Sequence, residues 1–285
     1  MNNILVTGAD GQLGSEIREL SKNHSDYSFI FTDKKNLDIT KENEISKFFD
    51  SNKINAIINC AAYTAVDLAE DETEMANQIN HISVKLLAKE AKKHKIKFIH
   101  VSTDYVFDGT SHVPYIETGS TNPQSVYGST KLEGEQILKE ISPDNSIIIR
   151  TSWVYSSFGN NFVKTMLRLG QEKESLNVIF DQIGTPTYAK DLANCILNII
   201  PKVKNSEVET FHYSNEGVCS WYDFAKTIFE LKKIDCKVFP IPSSAYPTKA
   251  KRPHYSVLNK EKIKKQFNIE IPYWKDSLSD CLQLL

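Results

Sequence analysis

No stretch of this chain approaches the ~18 consecutive apolar residues that a membrane-crossing helix needs. Neither sign of charge dominates: 34 Lys and Arg stand against 36 Asp and Glu. That balance gives no electrostatic case for a nucleic-acid partner, which calls for a clustered basic face. Cysteine is scarce, and Cys60, Cys195, Cys219, Cys236 and Cys281 are widely spaced and never form C-x-x-C. Disulfide scaffolds and zinc sites pair their cysteines more tightly, so reduced, mostly buried thiols are expected. The chain enters a strand almost at once, without the pattern of a secretory leader. The expectation is a cytoplasmic protein with no membrane partner. Glycine is sparse too, 11 in 285 residues, yet three of these fall at Gly8, Gly11 and Gly14.

Those three glycines follow a short apolar run, Ile4-Leu5-Val6, and lead into a helix-like segment from about Gln12. Glycine suits a tight strand-to-helix turn because it reaches φ > 0 without steric cost. It also lets the backbone approach a bulky anion, whose charge is favoured at the new helix's N-terminus. A strand, a glycine turn and a helix therefore suggest a dinucleotide pyrophosphate site. The spacing is G-x-x-G-x-x-G.

Strand-like and helix-like segments then alternate. Strands are expected at Ser28–Thr32, Asn55–Asn59, Lys97–Val101 and Ser146–Arg150. Helices are expected from Lys41 to about Ser51 with Thr40 as N-cap, from about Asp71 to His94, and from about Val126 to Ile141. This rhythm predicts an α/β fold with a doubly wound, Rossmann-like parallel sheet and right-handed crossovers. Ligands of such sheets bind at the C-terminal ends of the strands. Past Thr151 the rhythm loosens; Phe211–Ser214 reads as a late strand and Trp274–Leu284 as a last helix. A smaller, interleaved α+β lobe is expected there. Residues 1–152 and about 186–215 form the dinucleotide-binding domain in this reading, and 153–185 with 216–285 the lobe that closes over a ligand.

Asp33 stands at the end of the second strand, about 20 residues beyond the glycine turn. Its carboxylate suits an adenosine ribose and NAD, whereas Lys34 and Lys35 suit the extra phosphate of NADP, so both cofactors stay open. Asp38 and Ile39 flank the adenine position. In Tyr127-Gly128-Ser129-Thr130-Lys131 the tyrosine and lysine share one helix face. An ammonium beside the phenol lowers its pKa and makes the hydroxyl a useful proton donor. Tyr222-Asp223-Phe224-Ala225-Lys226 matches the same spacing, but Phe224, Ile228 and Phe229 mark that helix as a packing element. Thr103, at a strand end, offers a hydroxyl to hold a substrate oxygen and orient Tyr127. The small residues around Cys60-Ala61-Ala62 let a flat ring or ribose lie close.

Taken together, Thr7-Gly8-x-x-Gly11-x-x-Gly14, Ser102-Thr103 and Tyr127-x-x-x-Lys131 resemble the extended short-chain dehydrogenase/reductase family. Leu37-Asp38-Ile39-Thr40, Cys60 to Asp67, Ser102 to Phe107, Arg150-Thr151-Ser152-Trp153, Gly159-Asn160-Asn161-Phe162-Val163, Gln182-x-Gly184-x-Pro186-Thr187 and Arg252-Pro253-x-x-Ser256 resemble its rhamnose-forming members. The resemblance covers nearly the whole chain. It implies reduction of the C4 ketone of dTDP-4-dehydro-L-rhamnose by NADPH, with NADH also usable. By the same resemblance Tyr127 protonates the carbonyl oxygen, Lys131 binds the nicotinamide ribose and tunes Tyr127, and Thr103 positions the ketone. It assigns Gly8, Gly11, Gln12, Leu13 and Gly14 to the cofactor phosphates and Asp33, Asp38 and Ile39 to the adenosine. Ala62, Tyr63 and Thr64 meet the rest of the cofactor, while Asp104, Trp153, Asn161 and Arg252 contact the nucleotide sugar.

Some members of the family hold magnesium at a dimer contact through glutamates. Glu16 matches the first, but Lys190 stands at the second, with Asp191 beside it. No metal is therefore expected, and either a monomer or a homodimer remains open. Two other readings stay open at this level: a reductase or epimerase for another nucleotide sugar, and a cofactor-binding regulatory subunit without turnover.

Overall fold

Alternating apolar residues along the early strands dictate a sheet covered on both faces. The computed structural model, which describes residues 2–285, contains that sheet. Its strands are β1 (Asn2–Thr7), β2 (Tyr27–Thr32), β3 (Ala56–Asn59), β4 (Lys97–Thr103), β5 (Ser146–Thr151) and β6 (Glu209–His212). All five pairings are parallel, in the order β6-β5-β4-β3-β1-β2. The fold is the doubly wound α/β arrangement that the sequence predicts. The order reverses beside β1, which opens a crevice between the C-terminal ends of β1 and β3.

Period-two burial sends Ile4, Val6, Ile58 and Ile149 to one face. There they pack on α1 (Gln12–Ser21), α6 (Ala189–Ile199) and α8 (Glu261–Phe267). Leu5, Ile57, Phe98 and Ile148 face the other way. They pack on α2 (Glu42–Ser51), α3 (Ser83–His94) and α4 (Val126–Ile141). A separate apolar cluster joins α5 (Phe162–Glu172), α7 (Trp221–Lys232) and α9 (Trp274–Leu282). It also covers the parallel strand pair Ser175–Ile179 and Lys237–Ile241. Tyr222 belongs to the rim of this cluster.

Several local expectations need correction. Thr40 does not cap α2; Lys41 is the N-cap, because the Thr40 hydroxyl donates instead to Asp38 Oδ1 at 2.7 Å. The expected 71–94 helix is helical from Thr73, but Gln78–Ile82 winds as a π-helical turn. That turn places Asn80, fully buried, where Nδ2 donates to Thr130 Oγ1 at 3.1 Å and to the Tyr63 carbonyl at 3.1 Å. The late strand begins at Glu209, not Phe211, and adds to the sheet edge beside β5.

One polar pair lies inside the packing of α4 on the sheet. Arg150 and Glu135 are both almost fully buried and meet through Nη2 and Oε2 at 2.6 Å. Ser102 Oγ donates to the same carboxylate at 2.5 Å. Breaking such a pair from one side leaves an uncompensated charge at a cost of ~3–5 kcal/mol. Arg150→Met is expected to lose about that much stability in urea denaturation, and adding Glu135→Leu to recover most of it. Additive losses would show that the pair is not the coupled unit described.

Candidate active site

The glycine turn owes its shape to a close approach between strands. Gly8 has φ +66°, and a Cβ there would lie 2.6 Å from the Ala61 backbone nitrogen. No other residue fits that position. The turn delivers the chain to Gly11, the N-cap of α1, which makes no side-chain cap hydrogen bond. The first N–H groups of α1 are thus left for a ligand, and anions suit that place.

A cleft of about 460 Å³ opens at this helix end. Gly8 and Gly11 line it, with Asp33, Lys34, Asp38, Ile39 and Ala62. Asp33 accepts from the Lys35 and Asn36 backbone N–H groups at 2.8 and 3.0 Å. These bonds, Asn36's foremost, hold its carboxyl below the usual range. Asp38 is buried, which alone raises its pKa, but the Thr40 hydroxyl and N–H overcome that and leave it low. Tyr63 and Thr64 do not line the cleft: Tyr63 turns its hydroxyl to Glu72 at 2.8 Å, and Thr64 is exposed. Cys60, Leu37 and Ile79 do line it. Cys60 agrees with the expected close approach there, whereas Leu37 and Ile79 were not singled out because apolar lining residues look like core.

Thr103 ends β4 and accepts from the Tyr105 N–H at 3.2 Å, while its hydroxyl donates to Asp104 Oδ1 at 3.0 Å. Asp104 is buried with Oδ2 unpartnered, and desolvation lifts its carboxyl to about 6. Ser125 caps α4 by accepting from the Gly128 N–H at 3.1 Å, which fixes where Tyr127 emerges. The Tyr127 ring meets Tyr105 edge-on, with centroids 5.4 Å apart. Its hydroxyl differs from expectation: desolvation pushes it above the ordinary tyrosine value, with the Thr103 hydroxyl drawing it partly down. Lys131 does not lower it, because the ammonium is turned toward the sheet. Lys131 Nζ donates to the Val101 carbonyl at 2.7 Å and faces His100 Nε2 at 3.4 Å. Burial pushes that ammonium down to about 8, opposed by Glu135 one turn along.

Beyond Tyr105 lies a cavity of about 710 Å³ lined by Trp153, Phe162, Met166, Trp221, Gln182 and Arg252, among others. Trp153 stacks on Trp221 at 3.6 Å with the rings 8° from parallel. It does so from φ +50°, a strained setting for a bulky residue. Gly184 makes room, since a Cβ there would sit 2.7 Å from the Trp153 indole. Arg252 donates from Nη1 to the Tyr105 hydroxyl at 3.3 Å and pairs through Nη2 with Asp67. Asn161 is absent from the cavity lining. It caps α5 by accepting from the Lys164 N–H at 3.2 Å, and its Nδ2 donates to Gln12 Oε1 at 2.9 Å. Trp221 went unrecognised in the sequence, because it shares the apolar face of α7 with Phe224, Ala225 and Ile228 and so reads as packing.

The carboxylates considered for magnesium each accept hydrogen bonds within the protein. Ser156 Oγ donates to Glu16 at 2.6 Å. Asp191 accepts from Asn215 Nδ2 at 2.7 Å and from Ser277 Oγ.

The description "RmlD substrate binding domain" matches residues 1–285. A dTDP-4-dehydrorhamnose reductase of Aggregatibacter actinomycetemcomitans is 42% identical over 290 aligned positions, covering 98% of each chain. The crystal structure of a dTDP-4-dehydrorhamnose reductase from Clostridium acetobutylicum is 45% identical and superposes with a TM-score of 0.94 over 99% of both chains. Another, from Bacillus anthracis in complex with NADP, is 38% identical with a TM-score of 0.95 over the whole of both chains.

Two measurements follow from this geometry. Gly184→Ala is expected to displace the Trp153 indole, changing tryptophan fluorescence and costing ~1–3 kcal/mol of stability; unchanged fluorescence would refute the packing. Lys131 binds its proton less tightly folded than unfolded. From about pH 8 up to the ordinary lysine value, the unfolded chain holds a proton that the folded chain lacks, so this group's contribution makes stability rise with pH. Lys131→Met is accordingly expected to be at least as stable at pH 7, by up to ~3 kcal/mol; a lower urea midpoint would contradict it.

Proposed function

The chain belongs to the RmlD family of dTDP-4-dehydrorhamnose reductases, and from that premise we propose that it reduces the C4 ketone of dTDP-4-dehydro-L-rhamnose to dTDP-L-rhamnose with NADPH. One observation carries the reading. A single turn of α4 bridges the two clefts: Tyr127 packs against Tyr105 of the large cavity, and Lys131 lies close enough to Cys60 of the glycine cleft to act on its thiol. A proton donor and a cation are thus held between a dinucleotide site and a nucleotide-sugar site.

The glycine turn fits a dinucleotide, because the space a Cβ at Gly8 or Gly14 would fill is already taken by backbone and the open start of α1 suits a pyrophosphate. Gly8, Gly11, Gln12, Leu13 and Gly14 would surround the phosphates, and Asp33, Asp38, Ile39 and Ala62 the nucleoside portions. Lys34 beside Asp33 in the cleft favours NADPH, while Asp33 leaves NADH usable. The nicotinamide, when bound, supplies the hydride.

Tyr127 donates its proton to the C4 oxygen as that oxygen becomes an alkoxide. Thr103 holds the same oxygen by turning its hydroxyl hydrogen to it from Asp104, and Lys131 binds the nicotinamide ribose. Trp153 and Trp221 offer aromatic faces to the nucleotide sugar. Arg252 keeps free N–H donors beyond those used by Tyr105 and Asp67, enough for a diphosphate. Asp104 borders the sugar. The lobe built on α5, α7 and α9 is the substrate domain in this reading, working as a monomer or homodimer in the cytoplasm.

The test is loss of reduced-nicotinamide absorbance with enzymatically prepared dTDP-4-dehydro-L-rhamnose. Tyr127→Phe is expected to keep NADPH binding and lose at least ~100-fold in kcat, whereas Tyr222→Phe stays near wild type. Turnover of a different 4-ketosugar alone would move the substrate; NADPH binding with no turnover on any ketosugar would favour a regulatory subunit.

A further inference from the structure

Three polar side chains cross the sheet in a row. The register pairs Thr7 of β1 with Asn59 of β3, and Asn59 with His100 of β4. All three are buried, Asn59 and His100 completely. They continue, toward the C-terminal strand ends, the sheet face that carries Leu5, Ile57 and Phe98. The Thr7 hydroxyl and Asn59 Oδ1 lie 2.6 Å apart, Asn59 Nδ2 and His100 Nδ1 3.1 Å, and His100 Nε2 and Lys131 Nζ 3.4 Å. The row therefore runs from the foot of the glycine turn to the lysine assigned above to catalysis. Neither an apolar core nor the proposed reaction accounts for it.

Donor bookkeeping decides what the row does. An ammonium has three N–H donors and no lone pair. Lys131 gives one to the Val101 carbonyl, and the atom it faces at His100 must accept. A neutral imidazole carries one N–H, so accepting at Nε2 places the hydrogen on Nδ1. Asn59 must then turn its amide oxygen to His100 and its NH₂ to the Thr7 hydroxyl, an exchange of two atoms of nearly equal size. Burial and the adjacent Lys131 charge both keep His100 from taking a second proton. The charged or titratable groups acting on Lys131 are Glu135, which Arg150 neutralises, and Cys60.

We propose that Thr7, Asn59 and His100 form a positioning row for Lys131, in which neutral His100, protonated on Nδ1, accepts one ammonium N–H at Nε2 and leaves the third free to point into the site. His100 is a positioning residue: it acts through Lys131. The row also ties the lysine's place to the glycine turn through Thr7, so the two ends of the cofactor cleft are set by one hydrogen-bonded unit.

The inference rests on the catalytic reading of Lys131 but is tested in the cofactor-free protein, so that each can fail separately. In ¹⁵N-histidine spectra at pH 7, where Lys131 is charged, His100 is expected as the neutral Nδ1–H tautomer. An Nε2–H tautomer would overturn the proposal, and this measurement needs no variant. In protein carrying ¹³Cε-lysine, the Lys131 titration is then followed in two variants. His100→Phe keeps the ring volume beside Phe98 but removes the acceptor, and is expected to lower the Lys131 midpoint by about one pH unit. His100→Gln returns an acceptor near the Nε2 position and is expected to restore most of that shift. A midpoint unmoved in His100→Phe, or equally lowered in both, would assign His100 to packing alone.

Discussion

Desolvation of one ammonium is the constraint on which the site is arranged. Lys131 is only 1% exposed, and burying an unpaired charge is too costly to stand without compensation. The surroundings of α4 supply it in layers: the Val101 carbonyl, the His100 ring, and the Glu135 carboxylate one turn on. Glu135 in turn is held by Arg150 and Ser102. The pair Arg150–Glu135 adds little stability as such. Its effect is to leave a dipolar, fully bonded wall behind the lysine, against which the proposed row leaves one ammonium N–H for the site.

The two clefts solve different packing problems. At the glycine turn, backbone meets backbone, and the space opposite Ala61 admits no side chain. The cavity between the lobes is instead made of large side chains held in unfavourable places. Trp153 keeps a positive φ because Trp221 stacks on it and Gly184 yields the volume. Asn161 and Gln12 join the lobes, since the cap of α5 is bonded to a residue in the first turn of α1. The helix end at the glycine turn and the wall of the second cavity are thereby fixed to each other.

How much of this was legible in the sequence depended on whether the signal was local. The helix expected at about Val126 to Ile141 has those bounds in the structure, where Ser125 caps it. The sheet strands were legible to within two residues, as apolar runs bounded by turns. The π-helical turn at Gln78–Ile82 left no local mark, because it arises from Asn80 reaching across to Thr130 and Tyr63. The pairing of Trp153 with Trp221 spans 68 positions and is fixed only by the fold. Asn161 sat in a recognisable motif, yet its side chain is taken up by a helix cap. A motif records that a residue is needed at a place; it does not say whether a ligand or the backbone uses it.

The phenol shows why local chemistry alone misleads. A lysine four residues on was expected to lower the Tyr127 pKa, but the desolvated hydroxyl is raised while the lysine is lowered. Both directions have one cause, since burial penalises phenolate and ammonium alike. For the proton delivery to a ketone oxygen proposed for Tyr127, a raised value is no handicap. It keeps the hydroxyl loaded at neutral pH, and the alkoxide formed by hydride addition is far more basic than any phenolate. In the proposed reaction the ammonium, held at the Val101 carbonyl and His100, serves the nicotinamide ribose and not the phenol, whose charge it does not ease.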